Sequence, residues 1–276
     1  MMVPTDYLSG LENWLTNEDV EAYLDLIQVN QRTPTLTTLK AIIRQTYACI
    51  PFQNLTMLTR PRQPPCLAQI RDDMLNGLGG LCTTINPFLC ALLQSLGFQA
   101  GLLKVSLAQP DCHIGVIVNN LQGRDYWLDV GNGFPYLEPL PLEDGAIHKV
   151  LSFSYQLLRL DDGWSLKQTV LGSSDSKINQ QFKAIPCHYA EFTSMRQRHY
   201  TQHEYGPFLS GIRVNSWTAK RGLLLRDDTL WTLPGRPQKI DISQARNWLA
   251  EHFANATALL PLLDISWNEI IESRHH

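Results

Sequence analysis

Apolar residues recur three and four positions apart through the first third of the chain and alternate with polar ones through the middle. The helical period runs from Tyr7 to Leu15, from Val20 to Ile27 and from Leu36 to Ile50. Thr16 precedes Asn17, Glu18 and Asp19, a cap residue followed by an acidic first turn that suits the positive end of the helix dipole. Pro34-Thr35 introduces the third segment. Ile50-Pro51-Phe52-Gln53-Asn54-Leu55 reads as an apolar loop, and Arg60 to Pro65 as a polar, proline-rich connection. A buried helix is predicted from Ile85, Phe88, Leu89, Leu92, Leu93 and Leu96, starting at or just after Cys82. Thr83 or Thr84 would cap it, and Pro87 fits in its first turn, where a missing N–H costs nothing.

After Gly97 the period becomes that of strands. Leu102–Leu107, His113–Val118 and Tyr126–Val130 are extended, the last two joined by Asn119 to Arg124. Leu151–Leu160 and Trp164–Leu171 flank Asp161-Asp162-Gly163, a hairpin signal. The middle is therefore an antiparallel sheet or barrel. Gly211–Thr218, Arg221–Leu225 and Thr229–Leu233 are short strands, with Arg226-Asp227-Asp228 as a turn, and Ser243 would cap a helix carrying Ala245, Trp248, Leu249 and Phe253.

At 276 residues, 44% hydrophobic and 18% charged, the chain can bury a sizeable core as one large domain or two to three small ones. A net charge of -3 makes no case for a nucleic-acid or anionic-membrane partner. No apolar run reaches spanning length and no secretory signal pattern opens the chain. Cys49, Cys66, Cys82, Cys90, Cys112 and Cys187 form no C-x-x-C pair, so neither structural zinc nor another metal is expected, and free thiols fit a reducing cytoplasm.

Gly79-Gly80-Leu81-Cys82 places a cysteine at a helix N-terminus, among unpaired backbone donors and the positive end of the dipole. Both favour the thiolate, the form that attacks carbonyl carbon. The plainer alternative is a small buried residue at a helix start. A nucleophile needs a base, and His113 and Asp129 lie on successive strands. If 113 stands opposite 129, the turn centres near Leu121, and His113, Gly115 and Ile117 share a face with Trp127 and Asp129. The carboxylate would then orient the imidazole toward Cys82. Cys187-His188 is the rival pair, but neighbouring strand residues point to opposite faces. His199 and His203 have helical spacing without an H-E-x-x-H pattern and read as surface.

These residues resemble the arylamine N-acetyltransferase family. Leu78-Gly79-Gly80-Leu81-Cys82-Thr83-Thr84-Ile85-Asn86 stands where the family has Arg-Gly-Gly-Tyr-Cys-Phe-Glu-x-Asn. Ile50 to Leu55 is similar to its I-P-F-E-N-L, His113-Ile114-Gly115-Val116 to its histidine segment, and Leu128-Asp129-Val130-Gly131-Asn132-Gly133 to its L-D-V-G-F-G. Pro139-Leu140-Pro141-Leu142 follows, and beyond Glu191-Phe192 the similarity is weak.

The resemblance implies an α+β fold: an N-terminal helical bundle over 1–97, a central antiparallel β-barrel over 98–195 and a C-terminal α/β lid over 196–276, with a papain-like Cys-His-Asp arrangement where the first two meet. It implies a ping-pong acyl transfer by Cys82, His113 and Asp129, with acetyl-CoA or another acyl-CoA as co-substrate and an aromatic amine or hydrazine as acceptor. Substrate-binding positions follow at Gly80, Leu81, Thr83, Gly131, Asn132, Gly133 and Phe134. The family's Arg and Glu, which pair near its site, are Leu78 and Gln53 here; its residues after the nucleophile are Thr83 and Thr84, and its loop Phe is Asn132. The alternatives are an amide synthase drawing a larger acyl chain from an acyl carrier protein, a thioester hydrolase using water, and a non-catalytic binding protein that kept the fold.

Overall fold

The computed structural model describes residues 9–172 and 176–275. Ser9 to Leu15 are bends and turns rather than a helix, because Gly10 at φ 76° and Asn13 at φ 57° interrupt the helical path; Tyr7 and Leu8 lie outside the described residues. Leu11 and Leu15 are nonetheless buried. The first helix, α1 (Asn17–Leu26), starts at a capping box in which Thr16 accepts from the Asp19 N–H and Asp19 from the Thr16 N–H. Thr35 caps α2 (Leu36–Cys49).

The segment expected to be an apolar loop is ordered instead as β1 (Phe52–Gln53) and α3 (Leu55–Thr59), followed by α4 (Leu67–Leu75). Next comes α5 (Cys82–Ser95), buried from Cys82 through Leu93 and packed against α4. Leu81 occupies its cap position without a side-chain bond, so neither Thr83 nor Thr84 caps it. Pro87 is the sixth residue of this helix, beyond its first turn.

Strands β2 (Gln99–Ser106), β3 (His113–Leu121), β4 (Arg124–Leu128), β5 (Leu140–Pro141), β6 (Ile147–Val150), β7 (Phe153–Leu160), β8 (Gly163–Val170) and β9 (Ser176–Phe182) form one antiparallel sheet in the order β5-β4-β3-β2-β9-β8-β7-β6. The sheet curls. Trp127 of β4 meets Tyr136 at 4.9 Å and Tyr136 meets Tyr155 of β7 at 4.8 Å, although four strands separate β4 from β7 in that order. The curled interior and the α5 face explain why residues 113–118 of β3 are buried on both sides, and why alternation is muted there.

After α6 (Thr193–Thr201), a second antiparallel sheet runs β1-β10-β11-β12-β13 through β10 (Arg213–Trp217), β11 (Gly222–Arg226), β12 (Thr229–Leu233) and β13 (Gln238–Lys239). The helices α7 (Ile242–His252) and α8 (Ala256–Ile270) cover it, sharing a core of Leu55, Val214, Leu225, Leu249 and Leu263. The cap of α7 is Asp241, not Ser243: its carboxylate accepts from the Gln244 N–H at 2.8 Å and Gln244 returns the bond at 3.0 Å. The architecture is thus α+β, with helices, a barrel-like sheet and an α/β layer.

Candidate active site

Two chain segments, one before it and one after, hold the start of α5. Gly80 carbonyl accepts from the Gln53 N–H at 3.0 Å, which straps the glycine pair to β1. Gly79 lies at φ 67°, where a Cβ would sit 2.0 Å from the Pro51 carbonyl oxygen. From the other side Gly131 presses so close that its Cβ would be 2.6 Å from the Cys82 Cα. Glycine at these positions lets the backbones meet around the sulfur. The Cys82 and Thr83 N–H groups have no hydrogen-bond acceptor among the described residues, as expected at a helix N-terminus.

β3 and β4 bring the other two groups. Val116 pairs with Leu128, Ile117 with Trp127 and Val118 with Tyr126, so by extension Gly115, not His113, would stand opposite Asp129. The expected register is therefore wrong by two residues. The cause is a tight turn at Gln122-Gly123 plus a bulge between Val118 and Leu121, with Asn120 at φ 49°. A slip of two preserves the face, and Asp129, just past the end of β4, still reaches back to the ring.

His113 is 3% exposed, and its Nε2–H donates to Asp129 Oδ2 at 2.7 Å. That leaves Nδ1 for Cys82, which lies against the same ring. Burial alone would push this imidazole down, but the Asp129 carboxylate and then Cys82 outweigh it and hold His113 well above the ordinary histidine value. Asp129 is treated likewise: burial raises its pKa, yet the His113 charge and hydrogen bonds bring the net below the ordinary carboxylate value.

Four donors hold that carboxylate. Besides His113, Gln180 Nε2 donates to Oδ2 at 2.8 Å, while Asn86 Nδ2 and the Gly131 N–H donate to Oδ1 at 2.8 and 2.9 Å. Tyr47 hydroxyl donates to the Asp129 carbonyl at 2.5 Å and to that of Phe134 at 2.9 Å. Sequence reasoning missed Gln180, Tyr47 and the carboxylate contact of Asn86. The helical spacing of Asn86 after Cys82 was the one available signal.

A cavity of about 230 Å³ opens on Cys82 and His113, with Leu81, Gly131 and Asn132 among its walls. The other expected substrate-binding positions are not among those walls. Gly80 packs on Thr84, where a Cβ would come within 2.7 Å. Thr83 is fully buried with its hydroxyl 3.4 Å from that of Tyr200. Gly133 turns at φ 80° and its carbonyl accepts from Asn215 Nδ2 and Trp217 Nε1. Phe134 faces a separate, largely apolar cavity of about 670 Å³ beside Phe153 and Trp217.

His199 corrects the surface reading. It is 7% exposed and lines the Cys82 cavity, because α6 turns it inward between Tyr205 and Phe208. His203 is exposed. The rival pair stands apart: burial lifts the Cys187 thiol to about 11, its N–H donates to the Leu102 carbonyl, and His188 Nδ1 accepts from the Ala190 N–H. Gln53, fully buried, donates from Nε2 to the Leu78 carbonyl and to Thr56 Oγ1, both at 3.2 Å. A neutral amide-to-backbone contact thus joins the two positions that a Glu and an Arg occupy in the family the sequence resembles.

A profile of the N-acetyltransferase family matches residues 35–254. The chain belongs to this family. Arylamine N-acetyltransferase 2 of Mus musculus is 28% identical over 162 residues, 54% of this chain and 56% of that protein, so the match spans about half the length of that curated relative. Arylamine N-acetyltransferase of Mycobacterium tuberculosis is 25% identical over 260 residues, 89% of this chain and 84% of the relative. Among solved structures, the enzyme of Mycobacterium abscessus superposes with a TM-score of 0.79 at 21% identity, over 95% of this chain and 99% of that one. The Mycobacterium marinum enzyme, solved in complex with CoA, gives 0.78 at 21% identity over 91% and 99%. At that identity the superpositions establish the α+β fold. Among the described residues no helix is long and apolar enough to cross a membrane.

Proposed function

We propose that the chain is an acyltransferase that moves an acetyl group from coenzyme A, through an acyl-Cys82 intermediate, to an amine. The observation that carries this reading is a buried imidazole held by Asp129 and applied to Cys82 inside a cavity. Family membership supports it, and the CoA complex of the M. marinum relative supports coenzyme A as donor.

His113 takes the thiol proton, and the thiolate attacks the thioester carbonyl. The Cys82 N–H, which has no acceptor among the described residues, would help hold the tetrahedral oxyanion. The C–S bond to coenzyme A then breaks, and the imidazolium returns its proton to the departing thiolate. An amine next attacks the acyl-Cys82 carbonyl while His113 accepts its proton, and the Cys82 thiolate leaves as the amide forms. Asp129 keeps Nε2 protonated throughout and stabilises the imidazolium. All six cysteines are free thiols, which fits a cytoplasmic setting.

Incubation with acetyl-CoA should raise the intact mass by one acetyl group, and Cys82→Ala should abolish the gain. An unchanged wild-type mass across several acyl-CoAs rejects the reading.

A further inference from the structure

Two polar groups in the Cys82 cavity take no part in the acyl-transfer steps. The His199 Nε2–H donates to the Cys112 carbonyl at 2.8 Å. A ring nitrogen that faces a carbonyl must carry hydrogen, so in the neutral ring Nδ1 holds a lone pair. Burial first, and then the neighbouring His113 charge, keep this imidazole below its ordinary value against the pull of the Cys112 carbonyl. Tyr205, edge-on at 4.8 Å, and Phe208 at 6.0 Å fix the ring, and no described residue donates to Nδ1. On the opposite loop, Asn132 Nδ2 is buried without a hydrogen-bond partner.

A substrate that filled this space with hydrocarbon alone would strip water from His199 Nδ1, leave the buried Asn132 amide unpaired, and return nothing to either. A hydroxyl or carboxamide can both give and accept a hydrogen bond. At about 230 Å³ the cavity exceeds the roughly 150 Å³ known to hold benzene. We propose that His199 and Asn132 select the acceptor: a small amine whose body carries a neutral hydroxyl or carboxamide, in preference to a plain arylamine. The inference rests on the acyl-transfer reading for its meaning, but not for its test.

That test is equilibrium binding to the unacylated protein, measured by calorimetry with 4-aminobenzyl alcohol and with 4-ethylaniline, which replaces the hydroxyl by a methyl. The alcohol should bind about tenfold tighter, the effect of one satisfied neutral hydrogen bond. In His199→Leu and in Asn132→Leu the ratio should fall toward one. Asn132→Leu guards against misfolding of the histidine variant, because the unpartnered amide nitrogen supports no other group. Equal affinities, no binding of the alcohol, or a ratio unchanged in the folded variants overturns the proposal. Binding requires no chemistry, so failure of the acetyl mass gain would reject the triad and leave this ratio readable.

Discussion

Replacing Asp129 by Asn tests the triad through its most constrained member. The carboxylate is an acceptor only, and all four of its hydrogen bonds come from donors. An amide must turn its NH₂ toward one of the two donor pairs. If it faces Asn86 and Gly131, two buried donors lose their acceptor, at about 1–3 kcal/mol each. If it faces His113 and Gln180, the ring can escape only by moving its proton to Nδ1, the nitrogen that serves Cys82. Either choice removes the negative charge that holds His113 above its ordinary value. The expected loss of folding stability is about 2–6 kcal/mol, from two orphaned donors. Acylation should slow about 10⁴-fold, the scale of the same Asp-to-Asn change in a Ser-His-Asp triad. Time-resolved mass measurement of the acyl-enzyme gives the rate, and denaturant unfolding gives the stability. A folded Asp129→Asn protein that acylates within threefold of wild type would refute the assigned role.

Other expectations follow from the same contacts. Gly131→Ala places a Cβ 2.6 Å from the Cys82 Cα and 2.9 Å from Asn86 Nδ2; it should destabilise by roughly 1–3 kcal/mol and slow acylation, read by thermal melts and the same mass assay. Gln53→Glu removes the donor to the Leu78 carbonyl and buries a charge, so it should cost about 3–5 kcal/mol, and adding Leu78→Arg should recover part of that in the double variant. Stability should also depend on pH at both ends. The lowered Asp129 value contributes stability that is complete above the ordinary carboxylate range near 4 and is lost as pH falls through the folded value. The raised His113 value contributes stability present below about 6.5 and lost as pH rises through its folded value. Melting temperatures of wild type and His113→Gln across pH should diverge least at the alkaline end; a constant difference from pH 5 to 10 would remove the coupling.

Local chemistry made much of this chain legible. Thr16 with Asp19 and the turn at Asp161-Asp162 act over three or four residues, so their patterns survive any tertiary context. The start of α5 at Cys82 follows from the apolar period after the glycine pair. His113 and Asp129 kept a common face despite a register error of two, because strand side chains repeat every second residue. The order and spacing of the motifs between residues 50 and 142 carried the family resemblance.

What the sequence could not determine was everything fixed by partners far along the chain. Phe52-Gln53 becomes a strand because β10, some 160 residues later, offers it an edge and Gly80 bridges its other side. Gln180 reaches Asp129 across 51 residues by the curl of the sheet, and nothing in its own neighbourhood marks it. His199, polar and in a polar helix, is drawn inward by a carbonyl 87 residues away. Periodicity is set by neighbours two to four positions apart, and it decided most of the longer helices and strands. Which polar groups meet in the dry interior depends on how those elements pack, and only the folded molecule decided that.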